Sequence, residues 1–216
     1  MEGKTAIVFG ATGLTGSELV RQLLADDRYS KVKVFVRRHP GPDHEKLIIH
    51  VTDIADTDSY RDELTGDDLF ICLGTTIKKA GSVKAMEVAD RDVPAAIARA
   101  ARNNGVSSVA VVSSIGADSW SRNYYLRIKG EMEMEIAGTG FDRTIIVRPS
   151  ILLGKRNEFR FGEEAGRVVM KALKYLLIGR LRKYRGIEAR DVAKGMIRLI
   201  NVQPKPEAIV FESDEL

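Results

Sequence analysis

A tyrosine and a lysine four residues apart can do proton chemistry when a helix carries them, because positions i and i+4 share a face. Tyr125 and Lys129 stand so in YYLRIKG, residues 124–130, a stretch with helical periodicity. A free tyrosine, with a pKa of about 10, exchanges protons sluggishly near neutrality. An ammonium on the next turn favours the phenolate and eases the transfer. Spacing alone decides nothing, since Tyr29 and Lys33 repeat it in YSKVK. Ile128, Met132 and Ile136 recur on the face of Tyr125, which predicts that this face turns inward. Ser121 or Asn123 can start its helix. Tyr29 and Lys33 straddle an expected helix end and strand start, where four residues do not bring side chains together. The difference between the two pairs therefore lies in the elements around them.

Short β-branched runs at residues 5–9, 31–36, 47–51, 69–73, 109–112 and 144–147 read as buried strands. Between several of them lie helical patterns, clearest in LTGSELVRQLL and in VPAAIARAARNNG, whose final glycine suits a helix C-cap. Near-continuous apolar strands alternating with helices predict an α/β fold, a doubly wound parallel sheet covered on both faces. With 216 residues the chain reads as a single domain, 1–216. From about residue 150 the rhythm loosens into a small C-terminal elaboration. It holds a helical pattern over 163–178, a basic stretch, a short helix at 189–200 and a strand at 208–211. The basic segment RVVMKALKYLLIGRLRKYRG reads as cover for the substrate side in preference to a membrane-surface helix.

Composition narrows the function classes. Hydrophobic residues at 44% and charged residues at 30% describe an ordinary globular chain. A net charge of +4 is too small to argue for nucleic acid but suits an anionic small ligand. Cys72 is the only cysteine, so neither a disulfide framework nor a thiolate zinc cluster is expected. His39, His44 and His50 show no metal-ligand spacing, and no metal is expected. The apolar run in MEGKTAIVFG is too short for a signal or a spanning segment, so a cytoplasmic setting is expected, with oligomerisation left open.

The first strand runs straight into GATGLTG, and a helix opens at once. Gly10 permits the tight turn, Gly13 lets a diphosphate approach the backbone, and Gly16 lets the helix pack on the strand. Thr12, Leu14 and Thr15 complete the loop, whose helix N-terminus offers free N–H groups to an anion. That context makes the motif a dinucleotide site. The second strand ends in Arg37 and Arg38, where an NAD-binding chain carries a carboxylate for the ribose. Guanidinium groups fit a 2′-phosphate, so NADP(H) is the expected cofactor. After the third strand Asp53 either meets the adenine amino group or caps a turn. After the fourth, Leu73 and Gly74 let the chain pass close to the cofactor.

With these motifs the chain resembles the atypical branch of the short-chain dehydrogenase/reductase superfamily, and more narrowly the Tat-interacting protein subgroup and its bacterial relatives. GATGLTG, VRR, CLGTT, DRDV, SSIGADSWSRNYYLRIKGEME, FDRTIIVRPSILLG and RDVAKGM carry the resemblance over about residues 5–195. It implies a Rossmann fold in which Tyr125 and Lys129 match the catalytic YxxxK. It implies an active-site serine in VVSSIGA, with Ser114 favoured over Ser113 by counting from the strand. It also implies that the backbone of Arg148 and Pro149 lies near the nicotinamide, and a phosphate contact at Arg156. Where many members carry a relay asparagine, VADRDVPAA offers Asp90 and Asp92.

The expectation is an NADP(H)-dependent oxidoreductase acting on a small carbonyl or alcohol through Ser114, Tyr125 and Lys129. The alternative is an NADP(H)-binding regulator or sensor with little turnover. An epimerase or dehydratase reading is weakened by the short C-terminal part.

Overall fold

The computed structural model describes residues 3–39, 41, 43–154, 179–202 and 208–216. The expected helix at 163–178 and Arg156 lie outside the described residues, as does most of the basic segment. The strands, in chain order, are β1 (Lys4–Phe9), β2 (Tyr29–Val36), β3 (Leu47–Val51), β4 (Asp68–Ile71), β5 (Ser108–Val112), β6 (Arg143–Arg148), β7 (Leu152–Leu153), β8 (Ile187–Glu188) and β9 (Ala208–Glu212). Seven form one sheet in the order β3-β2-β1-β4-β5-β6-β9, and every neighbouring pair is parallel. β7 and β8 pair separately.

The helices are α1 (Leu14–Leu24), α2 (Ile77–Ala80), α3 (Val83–Glu87), α4 (Val93–Asn103), α5 (Tyr124–Ala137) and α6 (Ala189–Val202). A π-helical turn, Val88–Asp92, joins α3 to α4. Pro94 sits in the first turn of α4, where its missing N–H costs nothing. Gly105, at φ +87°, takes the left-handed conformation just past the end of that helix.

Alternation along the strands sorts side chains into two cores. Ala6, Val8, Val32 and Val34 meet Leu19 and Leu23 of α1 and Val192, Met196 and Ile200 of α6. Ile7, Phe9, Phe35 and Ile71 meet Ile97 and Ala101 of α4 and Met132 and Ile136 of α5. α6 and β9 are therefore parts of the doubly wound core. Beyond residue 150, what stands outside that core among the described residues is the β7–β8 pair and a 3-10 turn at Gly179–Tyr184. The strand order reverses between β1 and β4, and in such sheets a crevice opens beyond the carboxyl ends of the two strands.

Two readings of the sequence need correction. β4 stops at Ile71, short of residue 73: Cys72 N still donates to Phe9 O, but Thr75 N turns away to Asp90. Leu73 and Gly74 thus lie in the loop past the strand. Tyr29 and Lys33 do not straddle two elements; both belong to β2. A register shift between Lys4 and Thr5 puts Tyr29 in the core of Val32 and Val34, while Lys33 reaches Glu63 O and Thr65 Oγ1 on the other face. Tyr29 is fully buried and donates to Asp68 Oδ2 at 2.7 Å, which also takes Lys4 Nζ at 3.0 Å. Asn201 Nδ2 of α6 donates to the Tyr29 hydroxyl at 2.9 Å.

Tyr29→Phe removes a buried donor between Asp68 and Asn201, a loss of about 2 kcal/mol. In a domain of this size a fall in Tm of about 4–8 °C is expected, with ligand binding at the opposite sheet edge unchanged. Thermal unfolding followed by circular dichroism, beside a cofactor titration, checks both halves.

Candidate active site

The glycine turn sits where β1 meets the crevice, and its three glycines have different reasons to be there. Gly10 has φ +81°, and a Cβ on it would lie 2.4 Å from Cys72 O. A Cβ on Gly16 would lie 2.0 Å from Gly10 O, so α1 rests directly on the turn. Gly13 caps α1 in an extended conformation, and its nearest neighbour to a Cβ, Gly10 O, is 3.2 Å away. The protein's own packing therefore demands Gly10 and Gly16 far more than Gly13. Among the described residues no side chain caps α1, and no acid stands in its first turn, so none of them neutralises the positive end of the helix. Thr15 is buried, and its Oγ1 has no hydrogen-bond partner among the described residues. This donor set suits a diphosphate.

Arg37 and Arg38 are exposed at the carboxyl end of β2. Asp53, past β3, accepts from Ala55 N at 3.1 Å, so the turn-capping role is realised in the structure.

Across the crossover, β5 and β6 stay paired past their ends: Ser113 N donates to Val147 O and Ile115 N to Pro149 O. This holds Ser114 beside Arg148 and Pro149. Ser113 is buried, its hydroxyl without a hydrogen-bond partner among the described residues, whereas Ser114 is half-buried, its Oγ 3.5 Å from Ile115 O. The Arg148 guanidinium does not enter the crevice. Glu133 holds it, with Nε 2.9 Å from Oε1 and a second bond from its other nitrogen to Oε2. That leaves the backbone of Arg148 and Pro149 for any cofactor contact. Glu133 follows Lys129 at helical spacing, a signal the sequence carried unread.

Asn123 caps α5 by accepting from Leu126 N. Gly130 lets the helix touch the preceding loop, for a Cβ there would lie 2.2 Å from Ser119 N. The face holding Ile128, Met132 and Ile136 is buried as expected, but Tyr125 is not turned inward: it is 36% exposed. It stands in the first turn of α5 while the apolar residues that meet the core lie further along, so its face is covered only from Ile128 onward. Lys129, one turn on, is 2% exposed. Its Nζ lies 3.5 Å from Leu73 O, 3.6 Å from Asp90 Oδ2 and 4.0 Å from where a Cβ of Gly74 would be. Of the two acids the sequence offered, the structure brings Asp90 to the lysine; Asp92 pairs with Arg91. Burial pushes the Asp90 carboxyl above its ordinary value, against the lowering pull of Lys129 and of the Thr75 N–H. Burial also pushes the Cys72 thiol up to about 12, which leaves it inert.

Residues 10–202 match the NAD(P)H-binding family. The chain belongs to that family. Among curated relatives it is 36% identical to Protein HTATIP2 of Rattus norvegicus over 167 residues, covering 76% of this chain and 69% of the relative. It is 30% identical to Protein FMP52, mitochondrial, of Candida albicans, covering 98% and 96%. In fold it is similar to the UDP-N-acetylglucosamine 4-epimerase from Methanobrevibacter ruminantium M1, with a TM-score of 0.72 at 17% identity over 98% of this chain and 77% of that one. DesIV, the dTDP-glucose 4,6-dehydratase from Streptomyces venezuelae, gives 0.69 at 18% identity over 97% and 75%. The short-chain dehydrogenase/reductase resemblance read from the motifs is thereby upheld.

The unequal demands on the glycines separate ligand from scaffold. Gly13→Ala is expected to keep Tm within about 3 °C while weakening NAD(P)H binding at least tenfold. Gly16→Ala, which drives a methyl into backbone, is expected to lower Tm by about 6 °C or more. Thermal shift assays with and without NADPH distinguish the two.

Proposed function

We propose that the protein is an NADP(H)-dependent oxidoreductase acting on a small carbonyl or alcohol. The observation that carries this reading is Lys129. It is a buried ammonium against the loop after β4, one helical turn beyond an exposed tyrosine, in a family that binds NAD(P)H. When bound, the cofactor supplies or accepts the hydride. Gly10, Thr12, Gly13, Leu14, Thr15 and Gly16 hold its diphosphate, and Arg37 and Arg38 hold its 2′-phosphate. Asp53, Leu73, Gly74, Arg148 and Pro149 line the rest of its path. Tyr125 moves the proton to or from the substrate oxygen, and its exposure leaves the hydroxyl open to substrate. Lys129 favours the phenolate and donates to the cofactor ribose. Ser114 steadies the substrate oxygen, and its partial exposure supports it over the buried Ser113. The partner is a small molecule; nucleic acid is not proposed.

No helix among the described residues is long and apolar enough to cross a membrane. A reducing compartment is proposed, cytoplasmic by the sequence. The Candida albicans relative carries a mitochondrial name, and cell fractionation decides between the two.

NADPH is expected to bind at least tenfold more tightly than NADH, about 1.4 kcal/mol. Arg37→Ala combined with Arg38→Ala erases most of that preference and spares NADH. Calorimetric titration measures it, and equal affinities for the two cofactors in the unmodified protein would remove the 2′-phosphate assignment.

Tyr125→Phe deletes one oxygen from an exposed side chain, so folding and NADPH binding survive. Turnover of a carbonyl substrate, found by screening aldehydes, ketones and quinones, should fall at least ~100-fold in kcat. Turnover within a few-fold of the unmodified protein would favour an NADP(H)-binding regulator, in which Tyr125 and Lys129 serve only to hold the cofactor.

A further inference from the structure

We propose that Asp90 is a positioning residue of this site, the buried counter-ion that fixes the Lys129 ammonium at the end of β4. The inference rests on the reading above, in which Lys129 faces NADP(H).

Three elements converge on the pair. Asp90 is 0% exposed in the π-helical turn, and its Oδ1 accepts from Thr75 N at 2.8 Å in the loop after β4. Its Oδ2 has no hydrogen-bond partner among the described residues and faces Lys129 Nζ of α5 at 3.6 Å. The other charged groups on these elements are engaged elsewhere. Arg91 is held by Asp92 and Glu131, Glu87 by the Tyr124 hydroxyl, and Glu133 by Arg148. Arg127 stacks over the Tyr124 ring. Lys129 is the charged group acting on Asp90.

An ion pair this buried is a poor stabilising device, because desolvating both charges offsets their attraction. It has a purpose if the ammonium must stay charged where burial favours the neutral amine. An ammonium has three donors, and among the described residues its one hydrogen bond is the long contact to Leu73 O, so donors remain for a ligand. The π turn supports the same reading. Its extra residue changes the facing of the helix at the carboxylate, and such turns recur at functional sites. The Thr75 bond carries the arrangement to the loop that lines the crevice.

NADPH titrations by fluorescence between pH 7.5 and 9.5 test the assignment in the full chain. The unmodified protein should show a flat affinity. Asp90→Asn keeps an acceptor for Thr75 N but removes the counter-charge that favours the ammonium over the neutral amine. Affinity should then fall at least tenfold as pH rises. Asp90→Glu should restore the flat profile, and Asp90→Asn combined with Lys129→Met should abolish the pH step. A flat profile for Asp90→Asn, at the unmodified affinity, overturns the inference and leaves the oxidoreductase reading standing. Failure of the unmodified protein to bind NADPH overturns that reading, and the inference with it. If Asp90→Asn does not fold, thermal unfolding of Lys129→Met with and without Asp90→Asn takes its place. Near-equal stability of those two variants supports the pairing. Failure of Asp90→Asn to fold in the Lys129→Met background as well shows that Asp90 acts independently of Lys129, and overturns it.

Discussion

The functional edge of this protein depends on one close approach, that of Gly10 to the end of β4. There is no room for a methyl between Gly10 and Cys72 O, nor between Gly16 and Gly10 O. Helix α1 therefore stacks on the turn, and the turn stacks on the neighbouring strand. Because β1 and β4 are the two strands at which the sheet order reverses, this contact sets the floor of the crevice. It also fixes where the positive end of α1 stands relative to the loop after β4. A helix displaced outward by one methyl group would carry its N–H groups away from that loop. The anion end and the lysine end of the site share a floor only because both glycines are bare.

From the far side of the crossover, α5 must arrive at the same loop, and two contacts fix its height. Gly130 admits the backbone of Asp118 and Ser119, and Glu133 grips Arg148 at the end of β6. Lys129 stands one residue before the first of these fixed points and one helical turn before the second. Its depth follows from these contacts, and the π turn brings the Asp90 carboxylate to it.

Much of the scaffold was legible because strand and helix signals are local. The stretch LTGSELVRQLL is helix α1 from end to end, and the apolar runs are the strands. The exceptions have physical causes. The exposure of Tyr125 depends on where the helix passes the end of the sheet, which periodicity does not encode. The strand position of Tyr29 depends on a register shift against Lys4, a property of two strands together. The capture of the Arg148 side chain by Glu133 is likewise a long-range pairing, although the i+4 spacing of Lys129 and Glu133 hinted that an acid shared the buried face. The choice of Asp90 over Asp92 turned on a π turn, since in a regular helix the two acids would point differently. Chemistry-bearing residue types were readable, but their depths and partners were not.

The molecule sets a tyrosine, a lysine and an aspartate near one another at two places, and the contrast between them explains the first ambiguity of its sequence. At the amino end of the sheet, Asp68 Oδ2 takes hydrogen bonds from Tyr29 at 2.7 Å and Lys4 at 3.0 Å, and Asn201 donates to the same tyrosine. The tyrosine is sealed, and burial beside a carboxylate raises its pKa so far that it remains a donor. Tight contacts and a locked proton make that cluster a clasp between β1, β2, β4 and α6. At the carboxyl end the tyrosine is exposed, and the lysine meets its carboxylate at 3.6 Å. Short bonds there would consume the donors that a ligand needs and bind the ammonium too firmly to serve the tyrosine. A proton can be traded only where the acid is open on one side and its helper is charged but incompletely bonded. The looseness of the second cluster is therefore the physical difference between a residue set that holds the fold and the set proposed to move a proton.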